Sequence, residues 1–168
     1  MSKLRIILLA QLAFFGAWGG WLLSSRNADS PEFYLETAPV DPRDLISGTY
    51  VALTYDISRP TAGDCRDFRN FGPVFVKLEH RGGTANTADG PVPVYEAVDC
   101  SANPPQEPGW AAASLQHGFG GMTALYGIER FFLNENDPRK DAVSGTVVAK
   151  VKIGHGRRLD LLDLVKKI

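Results

Sequence analysis

Two hydrophobic patterns divide the chain. In "MSKLRIILLAQLAFFGAWGGWLLSSR" the apolar residues run almost unbroken from Ile6 to Leu23, with Gln11 the one strongly polar interruption. At about 1.5 Å per residue this run is about 27 Å long as a helix, close to the hydrocarbon thickness of a bilayer. Trp18 and Trp21 stand near its far end, where indole rings favour the interface. Lys3 and Arg5 precede it, so the remainder of the chain is expected on the extracytoplasmic side. A cleaved signal peptide is the alternative, but its apolar core is shorter and ends in small residues. Here Leu22 and Leu23 precede Ser24 and Ser25, which favours an uncleaved N-terminal membrane anchor over residues 1–25. Gly16, Gly19 and Gly20 permit close helix approach in a bilayer, or are simply tolerated there.

Beyond "RNADSP", a short polar tether over 26–31, the pattern changes to brief alternating segments bounded by Gly, Pro, Asn and Asp. In 49–57 Thr49, Val51, Leu53, Tyr55 and Ile57 fall on one side; in 73–80 Val74, Val76 and Leu78 do so, with Lys77 and Glu79 opposite. In 146–154 the inward set is Val147, Ala149, Val151 and Ile153. Segments 32–38 and 92–99 read as further strands, with Pro93 suggesting an edge or a strand start. "RGGTANTADGP" (81–91) reads as a long turn region, and 110–116 as strand or short helix. Gly154-His155-Gly156 reads as a hairpin turn before a final strand or short helix. The expectation is a mainly β fold, with β-rich α+β the variant: a single N-terminal transmembrane helix, then one extracytoplasmic β-sandwich or barrel-like domain over 32–168.

Length and charge narrow the classes. A chain of 168 residues allows one domain of ordinary size with a real core. The formal charge of −1 comes without a basic stripe, so nucleic acid is not an expected partner. Cys65 and Cys100 can pair in an oxidising compartment or remain two thiols, one packed as a small apolar residue; no C-x-x-C redox pair is present.

The turn "VDPRDLISG" combines Pro39 and Pro42, which restrict their own backbone, with Asp41 and Asp44, which can accept backbone N–H groups, around Arg43. It reads as a stiff corner feeding a strand, with an exposed recognition loop as the alternative. Gly48, Tyr50, Leu53 and Tyr55 in "GTYVALTY", with "YGIERFFLNE" from Tyr126 through Gly127, Glu129 and Arg130 to Glu135, resemble the two signatures of the GDYXXLXY family. The closing "VVAKVKIGHGRRLDLLDL" is similar to that family's last hairpin. Thr49 stands where the family has aspartate, which puts any role of that acid in doubt. The resemblance implies a membrane-anchored bacterial protein of uncharacterised function, companion to a multi-spanning membrane protein, and supplies no reaction.

Candidate chemistry is sparse. Asp41, Asp44, Glu129 and Glu135 are the best acids, and Arg130 is expected to bridge to an acid near Pro42. His80, His117 and His155 have no metal-ligand spacing, and no cofactor is expected. "HGFGGMTALYG" lacks the lysine of a phosphate loop. An anchored hydrolase would use Ser24 or Ser25 with Lys77 as base. Phe119, Tyr126, Phe131 and Phe132 could line a small-ligand cavity or pack a core. The reading that fits best is a non-catalytic accessory or interaction module.

Overall fold

In the computed structural model the chain divides into two units, Met1–Ser30 and Pro31–Ile168. The structure describes residues 3–26, 30–39, 50–67, 72–118, 121–134, 136–137, 139 and 142–168. The first unit is one helix, α1 (Lys3–Arg26). Ile7, Leu8, Leu9, Leu12, Phe14, Phe15, Trp18 and Trp21 are each more than half exposed on it. Successive positions are about 100° apart, so these side chains spread over about two-thirds of the circumference, and Ala10, Ala13, Ala17 and Gly20 take the rest. Among the described residues, however, no helix is long and apolar enough to cross a membrane. The expected transmembrane segment is thus found as a helix and not as a span.

The second unit is mainly β, a sheet curled into a half-barrel. Its strands are β1 (Glu32–Ala38), β2 (Tyr50–Ala52), β3 (Thr54–Tyr55), β4 (Gly72–Thr87), β5 (Gly90–Ser101), β6 (Trp110–Gly118), β7 (Gly121–Leu125), β8 (Arg130–Phe132), β9 (Val147–Ile153) and β10 (Leu159–Lys166). The large sheet runs β10-β9-β1-β5-β4-β6-β7, with β3 also paired to β1, while β2 and β8 form a separate ribbon. The described β1–β5 ladder is parallel and carries one register pair, Tyr34↔Val94; the other pairings are antiparallel.

Alternation builds the core as expected. Leu35, Val74, Val76, Ala149 and Val151 have at most 1% of their surface exposed and share one cluster. Val148, Ala85 and Val94 pack as a second cluster with Tyr34 and Val165. Val148 and Tyr34 have the opposite parity to Ala149 and Leu35, so this second cluster covers the other sheet face.

Three expectations change. The 49–57 alternation survives, since Val51, Leu53, Tyr55 and Ile57 are all buried. Its backbone is nevertheless split: β2 pairs with β8, β3 pairs with β1, and Asp56–Ser58 closes as a 3-10 turn. The segment 81–91 is mostly strand. β4 continues through Thr87, because an irregularity between His80 and Thr84 absorbs extra residues where Gly82 takes φ +91°. Pro93 sits in an interior strand. Its missing N–H is tolerated because β1 meets β5 at so few positions.

Candidate functional site

The two sequence signatures meet in space. β2 and β8 pair Tyr50 with Phe132, Val51 with Phe131 and Ala52 with Arg130. Just beyond, the Leu53 N–H donates to the Glu129 carbonyl at 2.8 Å. Tyr55 then donates its hydroxyl to the Ile128 carbonyl at 2.7 Å, and Tyr126 donates its own to the Ile57 carbonyl at 2.9 Å. Both rings are buried. Each hydroxyl therefore reaches the carbonyl two residues beyond the other tyrosine, and the two signatures clasp each other.

Glu129 shapes the turn that makes this clasp possible. Its Oε1 accepts the Tyr126 N–H at 2.6 Å and its Oε2 the Gly127 N–H at 2.9 Å. Gly127 turns the chain at φ +83°, a conformation that a Cβ would oppose. Burial first, and the Glu129 charge second, push both phenols well above their ordinary range. The hydroxyls are thus neutral hydrogen-bond donors, poorly suited to act as nucleophile or base.

A second hub closes the far side of the first signature. The Ser144 hydroxyl donates to the Ala38 carbonyl at 2.5 Å and accepts the Thr54 N–H at 3.1 Å. Thr37 donates to the Val147 carbonyl and accepts the Gly145 N–H at 2.8 Å.

One face of the ribbon is left open. Arg130 lies over the Tyr50 ring, 5.1 Å from its centroid, and the Tyr50 and Phe132 rings are 5.6 Å apart. Phe132 is 69% exposed. The bridge expected from Arg130 to an acid near Pro42 cannot be placed, because Asp41, Pro42, Arg43, Asp44 and Gly48 lie outside the described residues, as do Thr49, Phe119 and Glu135. Tyr126 is core rather than cavity wall, and Phe131 packs against the same core.

The clasp also holds Ile57, which lines a cleft of about 340 Å³ that the sequence reading missed. Its lining includes Glu36 from β1, Asp56, Arg59 and Thr61 from the arm after β3, Gly83 and Thr84 from the β4 bulge, and Tyr95, Glu96 and Ala97 from β5. Glu36 is ion-paired with Lys167. Burial, with Glu36 and Glu96 nearby, raises the Asp56 carboxyl above its usual range against the opposing effect of Lys167. The Gly82-Gly83 pair, which the sequence places in an apparent turn region, belongs instead to the β4 irregularity that brings Gly83 and Thr84 to this cleft.

The arm is tied to β5 by the Cys65–Cys100 disulfide. Cys65 belongs to the 3-10 turn Gly63–Asp67, and Asp99 Oδ1 accepts the Asp64 N–H at 3.0 Å beside the bridge. Of the alternatives left open by the sequence, pairing is the one adopted.

Lys77, the base of the hydrolase reading, pairs with Glu79 at 2.9 Å and lies 3.8 Å from Glu107. Its hydrogen bond to Glu79 leads the effects that raise its pKa, which favours the charged form and opposes a role as base. Of the histidines, His80 bonds the Val94 carbonyl at 3.0 Å and His155 is exposed in the β9–β10 turn.

The family model described as GDYXXLXY protein matches residues 18–162. This chain belongs to the GDYXXLXY family. No curated protein and no solved structure matches it. In this GDYXXLXY protein the described letters of the family motif serve the fold: Leu53 and Tyr55 enter the core, and the Tyr50 ring lies beside Phe132 on the ribbon.

Proposed function

We propose that this protein is a non-catalytic accessory module. It is seated in the membrane by α1, carries its β unit on the extracytoplasmic side, and docks on a multi-spanning membrane protein through the Tyr50–Arg130–Phe132 face. The observation that carries the reading is the clasp. The Tyr55 and Tyr126 hydroxyls and the Glu129 carboxylate, three polar groups of the two signatures, are all engaged with main-chain partners. What the signatures offer outward is an aromatic pair and a guanidinium, a composition enriched at protein interfaces.

Two further observations support the placement. A disulfide suits an oxidising compartment. A helix apolar on every side is best solvated by lipid or by other apolar helices, whatever its margin as a span.

The test is recovery of the full-length protein from its own membranes in mild detergent, after crosslinking at native expression. A multi-spanning partner is expected, and a Phe132→Ser, Arg130→Ala variant with unchanged thermal stability is expected to lose it. Recovery of monomer alone, or a partner indifferent to the variant, rejects the docking face. Release of the intact protein by carbonate washing rejects the membrane seat.

A further inference from the structure

We propose that the cleft between the Asp56–Thr61 arm and β5 binds a small organic cation, a primary ammonium group on a compact apolar body. Asp56 and Glu96 receive the ammonium, and Ile57, Pro60 and Ala97 receive the body.

The volume, about 340 Å³, falls at the small end of the range for small-molecule sites. The lining holds three carboxylates, Glu36, Asp56 and Glu96, against one guanidinium, Arg59. Glu36 is committed to Lys167, and among the described residues no ion pair engages Asp56 or Glu96. Burial leads the rise in the proton affinity of Asp56, and Glu36 and Glu96 add to it against Lys167; a bound cation would relieve the carboxylate part of that rise. Among the described residues no three His, Cys, Asp or Glu side chains are grouped as metal ligands. The apolar part of the lining further selects a cation with a hydrocarbon body over a bare ion.

The walls are also held in place before any ligand arrives. The arm leads directly into the turn that Cys65 bonds to Cys100, and Asp99 holds Asp64 beside it. On the other side the β4 bulge brings Gly83 against Glu96, so close that an added Cβ would lie 3.2 Å from Oε1. Fixing both walls lowers the ordering cost of binding. The inference goes beyond the accessory reading and does not depend on it.

The experiment titrates benzylammonium, benzyl alcohol and phenylacetate into the full-length protein in mild detergent, with empty micelles as blank, by calorimetry. Saturable binding of benzylammonium is expected, at least tenfold tighter than the alcohol, with no binding of phenylacetate. Asp56→Asn combined with Glu96→Gln should weaken it at least tenfold. Arg59→Gln should tighten it several-fold, a change that partial unfolding does not mimic. Equal affinity for the alcohol, indifference to the double variant, or weakening by Arg59→Gln overturns the proposal. A protein that recovers no membrane partner yet binds benzylammonium leaves this inference standing and rejects only the docking role.

Discussion

Tyr55 and Tyr126 are crossed: each buries its ring and gives its hydroxyl to the carbonyl two residues past the other, at 2.7 Å to Ile128 and 2.9 Å to Ile57. The two segments are separated by about seventy positions, so the bonds close a long loop and fix the ribbon against the curled sheet. Because a buried carbonyl left without a donor is costly, the pair is expected to contribute well beyond ring burial.

Tyr55→Phe and Tyr126→Phe should each destabilise the β unit by about 1–2 kcal/mol, the cost of orphaning one buried carbonyl. The two losses should not add, because both bonds clasp the same pair of segments; a coupling of about 0.5 kcal/mol or more is expected in a double-mutant cycle. Urea unfolding of the four proteins measures this. Single variants as stable as the parent would remove the clasp from the account of the fold.

The same tyrosines predict an alkaline limit. Burial, then Glu129, raises both phenols above the ordinary value of 10.0. A group whose folded pKa is raised keeps its proton in the native state after the unfolded chain has released it. The stability it contributes is therefore complete below about pH 10 and declines as pH climbs from there toward the folded value. Urea midpoints between pH 8 and pH 11 should fall, and the fall should be shallower in Tyr126→Phe. A parent and variant with parallel profiles would show that Tyr126 does not titrate as described.

The strands of this fold were legible where alternation was regular. Val74, Val76 and Leu78, and Val147, Ala149 and Val151, are buried as their period requires. Alternation misled where the backbone interrupts a ladder without breaking the side-chain parity. Leu53 stays inward although its flanking residues belong to different sheets, and Gly82 hides the continuity of β4 inside an apparent loop. The signatures named the residues of the clasp but not their roles. A hydroxyl reaching a carbonyl 69 or 73 positions away leaves no local pattern. The cleft was less legible still, since Glu36, Asp56 and Glu96 come from three separate segments.

The open ribbon face should be dispensable for folding. Phe132 is 69% exposed, so Phe132→Ser loses little buried surface, and its stability should stay within about 0.5 kcal/mol of the parent. Tyr50 loses one ring neighbour and retains Arg130. Thermal melts of the variant check this, and a large drop would mean that the face is structural and unavailable for docking.

The disulfide turn should depend on Gly63 as strongly as on the cysteines. Removing the bridge with Cys65→Ser and Cys100→Ser releases a constraint on residues 35 positions apart. The chain-entropy account assigns that constraint about 3–4 kcal/mol. Gly63 has φ +54°, and a Cβ there would lie 2.6 Å from Asp99 Oδ1 and 2.8 Å from the Val98 carbonyl. The carboxylate can swing aside, but the carbonyl belongs to β5 and cannot. Gly63→Ala must therefore lift the turn off the strand, which separates Cys65 from Cys100 and frees the arm of the cleft. A loss of about 2–4 kcal/mol is expected, together with slower reoxidation of the reduced protein. Thiol titration during refolding, beside urea unfolding of the oxidised form, separates the two effects. Normal reoxidation with full stability would show that the turn is not seated against Val98 and Asp99, and the preorganised wall of the cleft would go with it.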